Sequence, residues 1–416
     1  MAALVTTTIL TGPSAAEPFS TAPCALHRTD AHHSEGLDTW NATYTRPTHP
    51  LSAVMVFLSF PDATPRTTTA ELAADHFPAT SRYYEQASYG KFTIRPHPLT
   101  HWLRMPRPSV AYGMKRDWNL ALRAAYLRDA FAAADPEVDF SRYDIVYFVA
   151  DPDAPGVDSD ATKVVNLDTP MHVDGTDVRR VVTVFEKHPP DRLVLAHETG
   201  HLFDLPDLYH RPVDGKGDWD TYVGDWDLMG SQFGLSPDLF AWHKWKLGWL
   251  DPRQVVCVRG AGPTRLTLES LSAGPEASKQ GAAGSPAFGL GGGTKLAVVR
   301  TGPDTVLAFE ARDASGNDRA ACRQGILVYR VRDETASGSG PVEVIDAHPG
   351  TEACWENSVY PPLADAPVSV GETFTVPGDG VKVQVEGRTV SGDWNVKITP
   401  GEPEGLEEPG GPGGPD

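Results

Sequence analysis

No run of apolar residues in this 416-residue chain reaches the roughly 18 needed to cross a bilayer, so neither a membrane-spanning segment nor a membrane partner is expected. Positive charge is scarce. Lysine and arginine total 36 against 55 aspartates and glutamates, a net charge of -19, and no basic patch offsets it. A polyanion would be repelled, so nucleic acid is not an expected partner. Cysteine is rare too: Cys24, Cys257, Cys322 and Cys354 include no CxxC pair, which argues against a cysteine zinc site. Scattered cysteines in even number suit disulfides formed in an oxidising compartment. The pairing expected is Cys322 with Cys354 and Cys24 with Cys257. An alternative has the Cys24 thiolate capping a metal to hold the protein latent.

What is present is a globular composition, 40% hydrophobic, with room for two packed domains or one large one with an appendage, and a monomer is expected. Residues 1–16 are mildly apolar and end in small residues, although a positive n-region is missing. They read as a secretory signal whose start lies upstream of Met1, cleaved near Ala16, which makes the protein secreted and extracellular. Residues 17–50 are polar and punctuated by proline, so they read as an extended leader laid on the surface, with His32 and His33 solvent-exposed rather than ligating.

Residues 53–60 (AVMVFLSF) form an apolar run closed by Pro61, which predicts a buried strand. Residues 69–87 have helical spacing with a break at Pro78, and 91–96 alternate as a strand does. A helix is expected over 118–134 and a buried strand over 143–150. The following segment to Asp177 is acidic. Asp151, Asp153, Asp158 and Asp160 offer the oxygen ligands calcium takes, but in no EF-hand spacing, and a solvated loop is the simpler reading. Residues 164–167 and 181–186 read as short strands flanking a cleft. Beyond Pro252, eight strand-like runs recur between glycines and prolines, near 266–268, 295–299, 305–310, 325–331, 342–345, 373–376, 381–386 and 394–398. They predict an all-β, sandwich-like domain over 253–400. The Gly- and Ala-rich interval 273–293 reads as a flexible insertion whose GLGGG lacks the strand-to-helix setting of a nucleotide loop, and 401–416 as a disordered acidic tail. The fold class is therefore α+β, a mixed sheet with helices over 51–252 followed by the β domain.

Of fourteen histidines, His197 and His201 are the pair set four apart around a glutamate on a stretch of helical period. A helix beginning near Pro190 would place both imidazoles on one face, about 5 to 6 Å apart at Cβ, close enough to share one metal ion. Imidazole nitrogen suits Zn2+, and a catalytic zinc needs three protein ligands and one open position. Glu198 would stand beside the metal as general base. One class of zinc peptidases takes its third ligand from a glutamate on a later helix, yet no glutamate occurs between Glu198 and Glu269. Another turns the chain after the second histidine and returns a ligand six residues on, which here is Asp207.

These residues, HETGHLFDLPDLY, are similar to the HExxHxxGLPD motif and following tyrosine of the immune inhibitor A family of metzincin-type peptidases. GDWDLMGS (224–231) resembles that family's methionine turn, SPDLFAWHKWKLGWL (236–250) its next helix, and YYEQASYGKF (83–92) an earlier segment. The resemblance covers roughly 53–252 and continues weakly through VLAFEARD and GILVYRVRD. It implies a metzincin-like zinc peptidase domain over 51–252, with Met229 forming a hydrophobic base under the site. It also implies hydrolysis of protein or peptide substrates. Where the family has glycine this chain has Asp204, and aspartate tolerates a left-handed turn at a cost on the order of 1 kcal/mol. Asp204 and His210 therefore stand as alternatives to Asp207 as third ligand. A Ca2+ site among Asp214, Asp218, Asp220, Asp225 and Asp227 is possible in principle, and a solvated turn is the simpler account. The competing functional reading is a secreted, catalytically weak metal-containing protein whose β domain binds protein or glycan.

Overall fold

Strand β1 (Leu51–Ser59) is the spine of the first sheet, because its apolar residues are buried on both faces. Side chains alternate along a strand, so Ala53, Met55 and Phe57 point to one face and Val54, Val56 and Leu58 to the other. The first set packs with helices α1 (Thr69–His76), α2 (Ala79–Ala87) and α4 (Val194–Leu202). The second packs with α3 (Leu120–Ala134) through Tyr126, Leu127, Ala130 and Phe131. The computed structural model describes residues 22–212, 216–260, 262–274 and 293–401, so the expected signal, most of the 273–293 insertion and the acidic tail lie outside the described residues.

The sheet runs β2 (Ile94–Arg104), β1, β3 (Ile145–Ala150), β5 (Thr176–Val184), β4 (Lys163–Val173), parallel except at β4. Three strands are longer than expected. Strand β2 continues through Pro96 and Pro98, which an edge strand tolerates because the missing N–H costs no ladder bond there. Strands β4 and β5 form one hairpin across Asp174-Gly175, both at positive φ (50° and 71°), the conformation a type I′ turn requires.

After α5 (Ala241–Lys246) the chain builds two further sheets. One has the order β11 (Val342–Val344), β10 (Gly325–Arg332), β9 (Thr305–Arg312), β8 (Leu296–Arg300), β6 (Val255–Val258). The other is antiparallel, in the order β12 (Thr373–Thr375), β13 (Lys382–Arg388), β14 (Trp394–Thr399), β7 (Thr264–Leu268). All eight expected runs are strands; β6 went unforeseen. Val299, Phe309 and Val328 of the first of these sheets share a core with Val383, Val396 and Ile398 of the second. The five-stranded sheet's other face, with Val298, Leu327 and Tyr329, joins the core around α4, and Tyr329 stacks on Phe240 at 4.3 Å. The architecture is α+β, with mixed and antiparallel sheets and few helices.

The expected surface leader needs correction. Within 22–50, Leu26 and Leu37 are fully buried, as are Ser34 and Glu35, and His33 is 4% exposed, whereas His32 does face solvent. Leu26 and Leu37 join the hydrophobic core, and polar pairing holds the rest. Glu35 meets His243 of α5 at 2.8 Å, its carbonyl accepts from Trp242 Nε1, and the Ser34 carbonyl accepts from Lys246 Nζ. Disulfides join Cys24 to Cys257 and Cys322 to Cys354, which removes the Cys24 latency thiolate. Among the described residues no helix is long and apolar enough to cross a membrane.

Candidate metal centre

Helix α4 starts at Val194, later than the expected Pro190, because Leu193 adopts a left-handed conformation (φ 59°) that the helix cannot continue back through. The helix carries His197 and His201 on one face, their ring centroids 5.0 Å apart. After Phe203 the chain bends at Asp204 (φ 63°) and returns Asp207 to the same place. Asp207 Oδ1 lies 3.3 Å from His197 Nε2 and 3.1 Å from His201 Nε2. Among the described residues, these three form the one group of His, Cys, Asp or Glu side chains able to hold a metal ion.

The outer ring nitrogens decide what the inner ones present. His197 Nδ1 lies 2.8 Å from the Leu228 carbonyl, and His201 Nδ1 2.8 Å from that of Leu205. A carbonyl oxygen only accepts, so each Nδ1 carries hydrogen, and in the neutral ring each Nε2 turns a lone pair toward Asp207. Two imidazole nitrogens and a carboxylate oxygen at such range form a group that favours a shared proton or a metal cation. The protein groups alone make the site proton-hungry. Burial lowers the His201 pKa, yet the charge and hydrogen bond of Asp207, with the charge of Glu198, push it up to about 9. For Asp207 burial acts upward, but both histidines hold it well below the usual carboxylate range. An N, N, O donor set is one that zinc accepts.

Glu198 is half-buried, and its Oε2 accepts from the Val164 N–H of β4 at 2.7 Å. Burial raises its pKa against the lowering effect of the two histidines. Met229 is fully buried beneath the helix, where a Cβ on Gly200 would stand 2.5 Å from its sulfur. Its own N–H donates to Asp227 Oδ1 at 2.7 Å, and Asp227 Oδ2 meets the His243 ring, whose far nitrogen meets Glu35. The segment 22–50 thus braces the turn at Met229 through the buried side chains of Glu35, His243 and Asp227.

Asp204 is not in the metal group. Its carboxylate pairs with Arg28 Nη2 at 2.6 Å and His33 Nδ1 at 2.9 Å, and its carbonyl accepts from Lys246 Nζ. His33 in turn stacks on His201, with centroids 5.7 Å apart. His210 is also elsewhere, its N–H donating to the Trp219 carbonyl and its ring against Tyr222. Several of the carboxylates suggested for calcium are engaged by protein groups, although Asp151 Oδ2 is buried without a hydrogen-bond partner among the described residues. Asp153 pairs with Arg66, Asp158 caps the Asp160 N–H, and Asp225 accepts from Leu235, Ser358 and Val359. Asp214 lies outside the described residues.

A cleft of about 450 Å³ opens over His197 and Glu198. Val194, Tyr209, Trp219 and Phe233 give it apolar surface, while Asp160, Glu186, Asp191, Asp218 and Asp220 face Arg116 across it. The contacts that orient the site, from Val164 and Gly200, had no distinguishing mark in the sequence. Gly200 alone carried a hint, being a poor helix former between two ligands.

No protein-family model matches this chain, and no curated protein does. Among solved structures, it is similar to wild type OgpA from Akkermansia muciniphila, with 11% identity, coverage of 72% of this chain and 88% of that one, and a TM-score of 0.26.

Proposed function

We propose that the protein is a secreted, zinc-dependent endopeptidase of the metzincin type, resembling the immune inhibitor A family. His197, His201 and Asp207 would hold the metal, with Glu198 as general base. The observation that carries this reading is the convergence of two Nε2 lone pairs and Asp207 Oδ1 beside a cleft that Glu198 also lines. When bound, zinc supplies Lewis acidity toward a scissile carbonyl and toward water. Glu198 takes the proton from the attacking water and passes it to the departing amine. The Val164 N–H fixes its carboxylate, and a raised pKa suits a group that must both accept and return a proton. Met229 keeps the floor of the helix apolar and filled. Six carboxylates, Glu198 among them, against one guanidinium make the cleft attractive to peptides with basic residues. Two disulfides suit an oxidising compartment.

The test is casein cleavage by the purified full chain. Cleavage is expected to stop with a chelator, to return with zinc, and to be absent from Glu198→Ala although that variant still binds zinc stoichiometrically. If no protein substrate is cut in a chelator-sensitive way, the metal-containing binding protein becomes the better reading.

A further inference from the structure

Asp207 is the one member of the metal group that no helix holds, and its support comes from a distant part of the chain. The loop joining β10 to β11 reaches over and makes three contacts with it. Asp207 N–H donates to Ser337 Oγ at 2.8 Å, Ser337 Oγ lies 3.2 Å from Asp207 Oδ2, and Gly338 N–H donates to the Asp207 carbonyl at 2.9 Å. The pairing continues outward, with Arg211 N–H on the Gly338 carbonyl and a bridge between His210 and Ser339. Residues 207–211 and 337–339 therefore lie side by side as short extended strands do.

The hydroxyl's role follows from its single hydrogen. Because Ser337 Oγ accepts from the Asp207 N–H, that hydrogen is available to Oδ2. One oxygen of the carboxylate is thereby occupied and the other, Oδ1, is left toward the two histidines. The Asp207 side chain cannot rotate without breaking a bond to the same hydroxyl that fixes its main chain.

We propose that Ser337 is a positioning residue for the third metal ligand, so that the all-β region completes the metal centre instead of being an appended module. This rests on the reading of His197, His201 and Asp207 as zinc ligands. Hydrogen-bond partners of metal ligands commonly govern affinity by about 10- to 100-fold. Ser337 is half-buried in a turn and has no role in either hydrophobic core, so its loss should spare the fold.

The experiment is a zinc titration of the metal-free full chain against a competing chromophoric chelator, with the thermal midpoint of the metal-free protein measured alongside. For Ser337→Ala, zinc affinity is expected to fall by roughly 10- to 100-fold while the metal-free midpoint stays near wild type. Ser337→Thr, which keeps a hydroxyl, is expected to restore most of the affinity. Wild-type affinity in Ser337→Ala overturns the proposal. So does equal weakening in Ser337→Ala and Ser337→Thr with a lowered midpoint, because the loop's fold would then matter and the hydroxyl would not. A wild-type chain that takes up no zinc removes the metal reading itself, and this inference with it.

Discussion

Two aspartates three residues apart have opposite electrostatic surroundings. Asp204 is buried at the bend with Arg28 and His33 on its carboxylate and Lys246 on its carbonyl, so the protein itself supplies its countercharge. Asp207, at the end of the bend, faces two imidazole lone pairs, and its other partner is a neutral hydroxyl. One carboxylate holds the turn, and the other, on the proposed reading, would hold a cation from outside. The supports differ as well. Residues 22–50 hold the bend, and the β10–β11 loop holds its end.

The largest effects should separate the two residues outright. Asp207→Ala is expected to abolish stoichiometric zinc while leaving the metal-free protein folded; a fully metallated, active variant would show that the ligand has been misassigned. Glu198→Gln should keep zinc and lose about 100- to 10,000-fold in turnover, read as kcat on a protein substrate. Asp204→Gly should do the reverse of Asp207→Ala. Glycine relieves about 1 kcal/mol at the positive φ. Leaving Arg28 and His33 without their buried partner costs about 3 to 5 kcal/mol, so the net result is destabilisation, measurable by denaturant titration. A variant more stable than wild type would mean the ion pairs do not hold the turn.

The leader's side of the site should also respond to pH. His243 is pushed up to about 9; burial opposes this, but the charges of Glu35 and Asp227 prevail. A pKa raised above the ordinary 6.5 gives stability that is complete below pH 6.5 and is lost as pH rises through about 9. The full swing is at most about 3 kcal/mol. Wild type and His243→Gln should therefore differ most in thermal midpoint at mildly acid pH and converge in alkali, and a constant gap would exclude the linkage. Smallest is Gly200→Ala. A methyl pushed toward the Met229 sulfur should cost about 1 to 3 kcal/mol through overpacking, recovered in part by Met229→Ala, which makes room for it.

The grouping of residues near one another in the chain was legible in the sequence. His197, Glu198 and His201 lie within one helix turn of each other, and Asp207 follows from the count of six. The β strands beyond Pro252 announced themselves by apolar runs between turn residues. Contacts far apart in sequence left no such mark. Ser337 lies 130 residues from Asp207, and His33 lies 171 from Asp204. The leader misled because its burial depends on Glu35, His33 and Arg28 finding partners, and polar residues read as exposed until those partners are known. The hairpin of β4 and β5 was in principle readable from Asp174-Gly175, hidden inside a stretch whose acidity suggested a loop.

The Cys24–Cys257 bond spans 233 positions and encloses His197, Glu198, His201, Asp207 and Met229 within one covalent ring. On the proposed reading, copies of the protein at high concentration would be exposed to one another's cleavage. A single nick anywhere in that ring linearises it without releasing a fragment, so every half of the centre stays tethered to the β region that orients Asp207. Under reduction the same nick would let the pieces separate, and tolerance of a nick in this molecule should accordingly depend on the oxidation state of its surroundings.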